Sequence, residues 1–436
     1  MAVTQTIHKN LQPFVLAAGA LALLTGDYAS AATQEELEAK VQALSDQLQE
    51  VQKQLAELKQ QQVQRPAEAA PAIAQSQSAA STSADQTGQP TWFGYGELNY
   101  SRPQGRSADA QADLGRFVIG MEYGFDDRTR FVSEVEVEHT VSSSDDPGEV
   151  EIEQAYIERE LGSGIFGRAG LFLIPSGLLN ESHEPTRYYG VFRNLVETAI
   201  IPTTWREGGV AVQGRTDSGL RWDIGVTTGF DLSKWDASAE GEGQESPLGS
   251  IHQELALARA ADASAFGALN YSGVAGLLVG GSIFTGGAGQ AQPGYSGSKV
   301  TLWETHARWS PAAFQLSALY AHGSISKTAR INTTLVGNPM LIPEEFFGWY
   351  VEAAYRAIER DTWSLAPFVR YERVNTGSSY ADIGQGFTPS ALGDQKVWTG
   401  GLNLWLSAGV VLKADYLDFR DERGADRIDL GIGYAF

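Results

Sequence analysis

The sequence predicts an all-β protein: a sixteen-stranded antiparallel transmembrane β-barrel that follows a short N-terminal α-helical coiled coil. Three observations carry this prediction. Apolar and polar side chains alternate along sixteen segments after Thr91, which is the period of strands with two different faces. Tight turns and long loops alternate between these segments, as they do in membrane barrels. The chain also ends in a strand with one apolar face and a terminal aromatic residue.

Composition narrows the class of protein. The 436 residues carry a formal charge of −21, 42% hydrophobic residues and no cysteine. This balance argues against a helical membrane protein and against a nucleic-acid binder, which would carry a basic surface. Composition alone leaves a soluble β-sandwich or β-helix open.

The first 31 residues have the pattern of a signal peptide. Lys9 precedes an apolar run over 14–24, and Ala29-Ser30-Ala31 supplies small residues for cleavage. The alternatives are a membrane anchor or a buried helix, although the run is short for a bilayer. We expect an exported protein.

Residues 32–64 are predicted to form a periplasmic coiled coil. Apolar residues recur at steps of four and three, as in a heptad seam: Leu37, Val41, Leu44, Leu48, Val51, Leu55 and Leu58. A single amphipathic helix packed elsewhere on the protein is the alternative. Residues 65–90 are rich in Gln, Ala, Ser, Thr and Pro, a composition typical of a flexible linker.

Residues 91–436 are predicted to form the barrel. The sixteen strands are expected at 91–101, 112–125, 129–140, 149–161, 164–173, 206–215, 219–230, 263–272, 275–286, 297–309, 313–323, 347–357, 362–374, 395–406, 408–418 and 425–436. The long connections are 174–205, 231–262, 324–346 and 375–394. An even strand number places both barrel ends on the short-turn side, which would be the periplasm.

Aromatic residues near the strand ends favour a membrane barrel over a sandwich. In a sandwich the apolar face would be the core, whereas in a membrane barrel tryptophan and tyrosine gather at the two interfaces. The tryptophans expected in these girdles are Trp92, Trp222, Trp303, Trp309, Trp349, Trp363 and Trp398.

The loop over 174–205 is unusually apolar for a connection exposed to water. It holds Leu178, Leu179, Tyr188, Tyr189, Phe192, Ile200 and Ile201. Long loops in compact structures are usually functional or covered. We therefore expect this loop to fold into the barrel and narrow it, with a surface lid or a subunit contact as the alternative.

The segments GLFLIPSGLLNESHEP (170–185) and IIPTTWREGGVAV (200–212), with Gln154-Ala155-Tyr156-Ile157 upstream, resemble the phosphate-selective porin O and P family. The resemblance covers essentially the whole barrel. It implies sixteen strands, a homotrimer in the outer membrane and an inward-folded third extracellular loop, and some members carry a periplasmic coiled coil. This chain has no lysine between Arg65 and Lys234, so phosphate selectivity is not carried over.

We expect an outer-membrane porin that lets small hydrophilic solutes or ions diffuse passively. Contact with outer-membrane lipid is expected, and the coiled coil is a candidate for cell-wall contact. The predicted constriction and lining residues are Glu181, Glu184, Arg187, Arg193, Glu197, Arg116, Glu134, Glu136, Glu138, Glu151, Glu153, Arg168, Arg308 and Arg370. A receptor or adhesin, or a barrel enzyme, are the alternatives. The histidines lack companion catalytic motifs, and no metal or cofactor is expected.

Charge suggests a direction of selectivity. The predicted signal peptide has no net charge, because it holds one lysine (Lys9) and one aspartate (Asp27). Residues 32–90 hold eight acids and four bases, so the predicted barrel carries −17 of the total charge of −21. Focused charge in a channel shifts ion occupancy most at low salt. We expect a mild preference for cations, with a lumen neutralised by its own Arg–Glu pairs as the alternative.

Overall fold

The computed structural model describes residues 88–436, apart from 144–147, 239–241, 385 and 422–423. The predicted signal peptide and coiled coil lie outside these residues. The strands are β1 Pro90–Pro103, β2 Gln111–Asp126, β3 Thr129–Glu138, β4 Val150–Gly162, β5 Ile165–Leu173, β6 Arg206–Arg215, β7 Leu220–Thr227, β8 Ser264–Tyr271, β9 Leu277–Gly287, β10 Lys299–Trp309, β11 Phe314–Ile325, β12 Glu345–Tyr355, β13 Ile358–Glu359, β14 Ser364–Ser379, β15 Gln395–Ser407, β16 Val410–Phe419 and β17 Arg427–Ala435.

These strands form one closed antiparallel barrel. Each strand pairs with its neighbour in sequence, and β1 pairs with β17 as well as with β2, so no edge is left open. The two-residue β13 only extends the pairing at the start of β14, which leaves sixteen long strands among the described residues. All sixteen predicted strands are confirmed, with ends that differ by a few residues.

The loops contain short helical segments that strand periodicity does not predict. An α-helix covers Thr328–Leu335, and 3₁₀ turns cover Ser107–Asp109, Leu232–Lys234, Glu242–Gln244 and Gly249–Ile251. A π-helical turn lies at Val196–Ile200. In the described part of the chain no helix is long and apolar enough to cross a membrane.

The outer face of the barrel is apolar, as expected for contact with lipid. In β17, Ile428, Leu430 and Ile432 point outward and are exposed, while Asp429 between them is fully buried on the inner face. Aromatic rings contact one another across neighbouring strands, with centroids 5.4 Å apart for Trp303 and Tyr320. Such rows of aromatic rings are typical of the interfacial girdles of membrane barrels.

The interior differs from a uniformly polar lumen. Inward side chains of β8 to β12 form an apolar wall, with Phe284, Leu302 and Phe346 almost fully buried. Trp205 stacks on Phe230 with a centroid distance of 5.5 Å. The apolar wall provides the burial that the apolar loop residues require.

Candidate pore and the loop that crosses it

The loop over 174–205 leaves β5 and crosses the barrel interior to the opposite wall. The backbone N–H of Val191 donates to Asp415 Oδ2 on β16 at 2.6 Å, and that of Leu195 donates to Glu372 Oε1 on β14 at 2.6 Å. The Tyr188 hydroxyl donates to Glu97 Oε2 on β1 at 2.9 Å. Inward carboxylates of three far strands therefore hold the loop across the lumen.

Glycines on inward positions make room for the loop. A Cβ at Gly433 would lie 2.6 Å from the Pro185 side chain, and one at Gly348 would lie 3.0 Å from Ile200. Non-bonded carbon atoms do not approach to 2.6 Å, so a side chain at Gly433 would force the loop or the wall to shift. These positions accordingly lack a side chain where the loop packs closest to the wall.

Glu197 braces the loop from within. Its Oε1 accepts from the backbone N–H groups of Leu178 at 2.6 Å and Leu179 at 2.7 Å. Its Oε2 accepts from Asn194 Nδ2 at 2.8 Å and from the Tyr350 hydroxyl at 3.0 Å. The carboxylate is buried and has four donors, so it satisfies loop backbone and fastens the loop to β12.

Asn180 ties the two stems of the loop together. Its side-chain Nδ2 donates to the carbonyls of Ile174 at 2.7 Å and Trp205 at 2.9 Å. Its Oδ1 accepts from the Trp205 N–H at 2.7 Å. The loop therefore has a fixed base as well as a fixed crossing.

A cavity of about 410 Å³ lies between the loop and the wall formed by β1–β3 and β14–β17. The loop side is formed by Tyr188, Phe192, Arg193, Leu195, Thr198 and Thr203. Ionisable wall and loop residues around it are Glu97, Asp113, Glu138, Glu372, Asp415, Arg116, Arg193, Arg370, Arg427 and His139. With five carboxylates against four arginines, the lining is close to charge balance.

Ion pairs fix many of these side chains. Arg116 pairs with Glu97 at 2.8 Å, and Arg370 pairs with Glu372 at 2.8 Å and Glu352 at 3.1 Å. Paired arginines are held by planar, directional hydrogen bonds rather than left to move freely. Burial and the charge of Glu97 raise the pKa of the Tyr188 hydroxyl, which therefore remains a neutral donor.

The structure distributes the predicted lining residues over several environments. Arg116, Glu138, Arg193 and Arg370 border the cavity. Glu134, Glu136 and Glu153 are buried on the inner faces of β3 and β4. Arg308 is half-buried with an inward position on β10.

The remaining predicted residues lie in ion pairs or in the loop. Arg168 pairs with Glu158 at 2.9 Å, and Glu151 pairs with Arg206. Glu181 pairs with Arg221 at 2.7 Å. Burial raises the pKa of the Glu181 carboxyl, but the opposing charge of Arg221 outweighs it and holds the pKa below its usual range.

Glu184 and Arg187 stand in a turn of the loop, where the Arg187 N–H donates to the Glu184 carbonyl at 2.9 Å. Glu197 is the internal brace described above. Four wall carboxylates at the cavity are not among the predicted candidates: Glu97, Asp113, Glu372 and Asp415. Alternation along β1, β14 and β16 contains the signal for Glu97, Glu372 and Asp415, because each occupies an inward position of its strand. Asp113 has the opposite parity to Arg116 in β2, and it reaches the cavity because the register of β1 and β2 shifts between Arg116 and Leu114.

Comparison with solved structures identifies the architecture. The chain is similar to OmpF of Salmonella typhi, solved in complex with daunomycin, with a TM-score of 0.52 and 14% identity over 80% of this chain and 97% of that one. It shares that barrel fold. A loop L8 deletion mutant of OmpT, an outer-membrane protein of Vibrio cholerae, aligns with a TM-score of 0.50 and 11% identity over 80% of this chain and 99% of that one.

In sequence, the chain is 28% identical over 355 residues to a protein of Aquifex aeolicus (strain VF5) described only as uncharacterized, covering 79% of each. No protein-family model matches the chain. The resemblance to the phosphate-selective porins therefore stays a prediction.

Proposed function

We propose that the protein is an outer-membrane porin through which small hydrophilic solutes and ions diffuse passively. The observation that carries the proposal is the charged cavity of about 410 Å³ between the inward loop and one wall of a closed sixteen-stranded barrel. A barrel of this strand number leaves room for an aqueous channel. The loop over 174–205 narrows that channel and sets which solutes pass.

The test is conductance of the purified full-length mature protein in planar lipid bilayers. A porin gives stepwise, ohmic current increments at each insertion, whereas a receptor, an adhesin or a closed enzyme barrel gives none. Heat-modifiability on gels shows whether the protein is folded. If the folded protein gives no conductance, the proposal is contradicted.

The channel is expected to prefer cations mildly at low salt. The cavity lining has five carboxylates against four arginines, and the focused field of this small excess weakens as the Debye length shrinks below about 10 Å. A bilayer under a salt gradient measures the preference as a reversal potential. An anion-selective sign, or block by micromolar phosphate, would reverse this expectation and favour the function of the phosphate-selective family.

We also propose that residues 32–64 form a periplasmic coiled coil that assists assembly of a homotrimer. The predicted linker over 65–90 is poor in large apolar residues, so folding of the barrel should not depend on the segment before it. Deletion of 32–64 is therefore expected to leave heat-modifiable, folded barrels in the membrane while weakening any contact with the cell wall. Loss of all folded barrel after this deletion would refute the independence of the two parts.

A further inference from the structure

Three carboxylates and one histidine meet at a buried point where the loop touches the wall. Glu134 on β3, Glu153 on β4 and His183 on the loop each offer a ligand atom within 4.8 Å of the others. All three side chains are at least nine-tenths buried, and Glu153 is fully so. The Glu136 carboxylate is buried beside them.

A β-bulge in β4 turns the side chain of Glu153 toward this buried point. The register of β3 and β4 shifts between Glu134 and Val135, so that Glu134 pairs with Gln154 and Val135 pairs with Ile152. Glu153 is the extra residue, and it points inward together with its neighbour Gln154 while Ile152 points outward. Bulges re-aim side chains in this way next to functional sites.

In the neutral imidazole of His183, the hydrogen bond made by one ring nitrogen leaves the lone pair on the other. Its Nδ1 lies 2.8 Å from the Asn180 carbonyl oxygen, which only accepts, so Nδ1 carries a proton and donates it. Its Nε2 then faces Glu153 Oε1 at 3.6 Å and the Tyr95 hydroxyl at 2.6 Å. A metal-binding histidine is held in this manner, with its second ring nitrogen donating to a backbone carbonyl.

The carboxylates at this point lack compensating positive charge. Among the ion pairs of residues 88–436 that the structure describes, no arginine or lysine pairs with Glu134, Glu136 or Glu153. Arg116 is close, but it pairs with Glu97 and donates to the His183 carbonyl at 2.5 Å. The buried oxygens Glu153 Oε1 and Glu136 Oε1 have no hydrogen-bond partner, and a buried unpaired charge is strongly unfavourable.

We propose that Glu134, Glu153 and His183 bind a divalent transition-metal ion of the Zn²⁺ class between the barrel wall and the loop. One imidazole nitrogen with carboxylate oxygens suits such an ion, whereas Ca²⁺ and Mg²⁺ take oxygen ligands. The Tyr95 hydroxyl, 2.8 Å from Glu153 Oε2, lies beside the site. The ion would neutralise two carboxylates and clamp the loop to β3 and β4.

The experiment is a Zn²⁺ titration of the full-length mature protein, purified without a polyhistidine tag, stripped with a chelator and followed by calorimetry at neutral pH. We expect one tight ion per chain. His183→Ala and Glu153→Gln should each weaken that binding at least about 10-fold, because ligand loss costs no less than loss of a supporting group. Glu153→Gln keeps an acceptor for Tyr95 and is the variant more certain to fold.

His322→Ala is the matched control, because His322 stacks on Trp303 at 5.9 Å on the outer face of the barrel. It should bind Zn²⁺ as the unmodified protein does. The heat-modification temperature gives a second measurement: Zn²⁺ should raise it in the unmodified protein and in His322→Ala, but not in Glu153→Gln. A folded unmodified protein without a tight site, or equal binding by the Glu153→Gln and His322→Ala variants, would overturn the proposal, whatever the conductance of the channel.

Discussion

Replacing residues 175–204 with a short glycine–serine turn is expected to raise the single-channel conductance by at least about twofold, because ion flow follows the open cross-section of a pore. The replacement is geometrically simple. Ile174 already donates its N–H to the Trp205 carbonyl at 2.9 Å, and Leu173 pairs with Arg206. A tight turn can therefore join β5 to β6 without disturbing either strand.

The variant also removes the residues that hold the crossing, since Tyr188, Val191 and Leu195 would no longer reach β1, β16 and β14. Its folding must be confirmed first, because Phe284 and Phe346 on the inner wall lose their apolar cover. Heat-modifiability on gels provides that control. If the variant folds and its conductance is unchanged, the loop does not limit the pore.

The barrel could be predicted from the sequence because its signal is local. Alternation reports which face of a strand meets lipid, and Ile428, Leu430 and Ile432 show this in the last strand. Tight turns such as Thr216 to Gly219 mark the strand ends. The predicted boundaries of β6, 206–215, match the structure.

The interior could be predicted only in part because its contacts join distant residues. Alternation identifies Glu153 as inward, but not that a bulge brings it beside Glu134 and a loop histidine. Likewise, the sequence alone does not explain why Leu302 and Phe346 are apolar at inward positions. The structure explains it, because Trp205 and its neighbours form one buried apolar cluster with them. The sequence predicts Glu197 as a charged residue of the constriction. It does not predict the four hydrogen-bond donors that surround the buried carboxylate.

Glu197→Ala is expected to release the loop from its position while leaving the barrel folded. The substitution deletes an acceptor of four hydrogen bonds and leaves the buried N–H groups of Leu178 and Leu179 without partners. Loss of a hydrogen bond to a charged group costs about 1.5–3 kcal/mol. A loss of about 3 kcal/mol raises the population of the open loop about 100-fold.

Two measurements follow this change. Single-channel records should show fluctuation between the original conductance and a larger one, and trypsin should cleave the folded barrel at the loop arginines Arg187 and Arg193 faster than in the unmodified protein. Glu197→Gln should have a smaller effect, because its amide oxygen can still accept from Leu178 and Leu179.

Glu245→Ala is the control for loss of a negative charge, since Glu245 is an exposed glutamate of another long loop. Steady current and slow cleavage in Glu197→Ala, equal to those of Glu245→Ala, would show that the brace is dispensable. In that case the contacts of Val191 and Leu195 with Asp415 and Glu372 suffice to hold the crossing. The expected result instead makes Glu197 the residue on which a constant pore size depends.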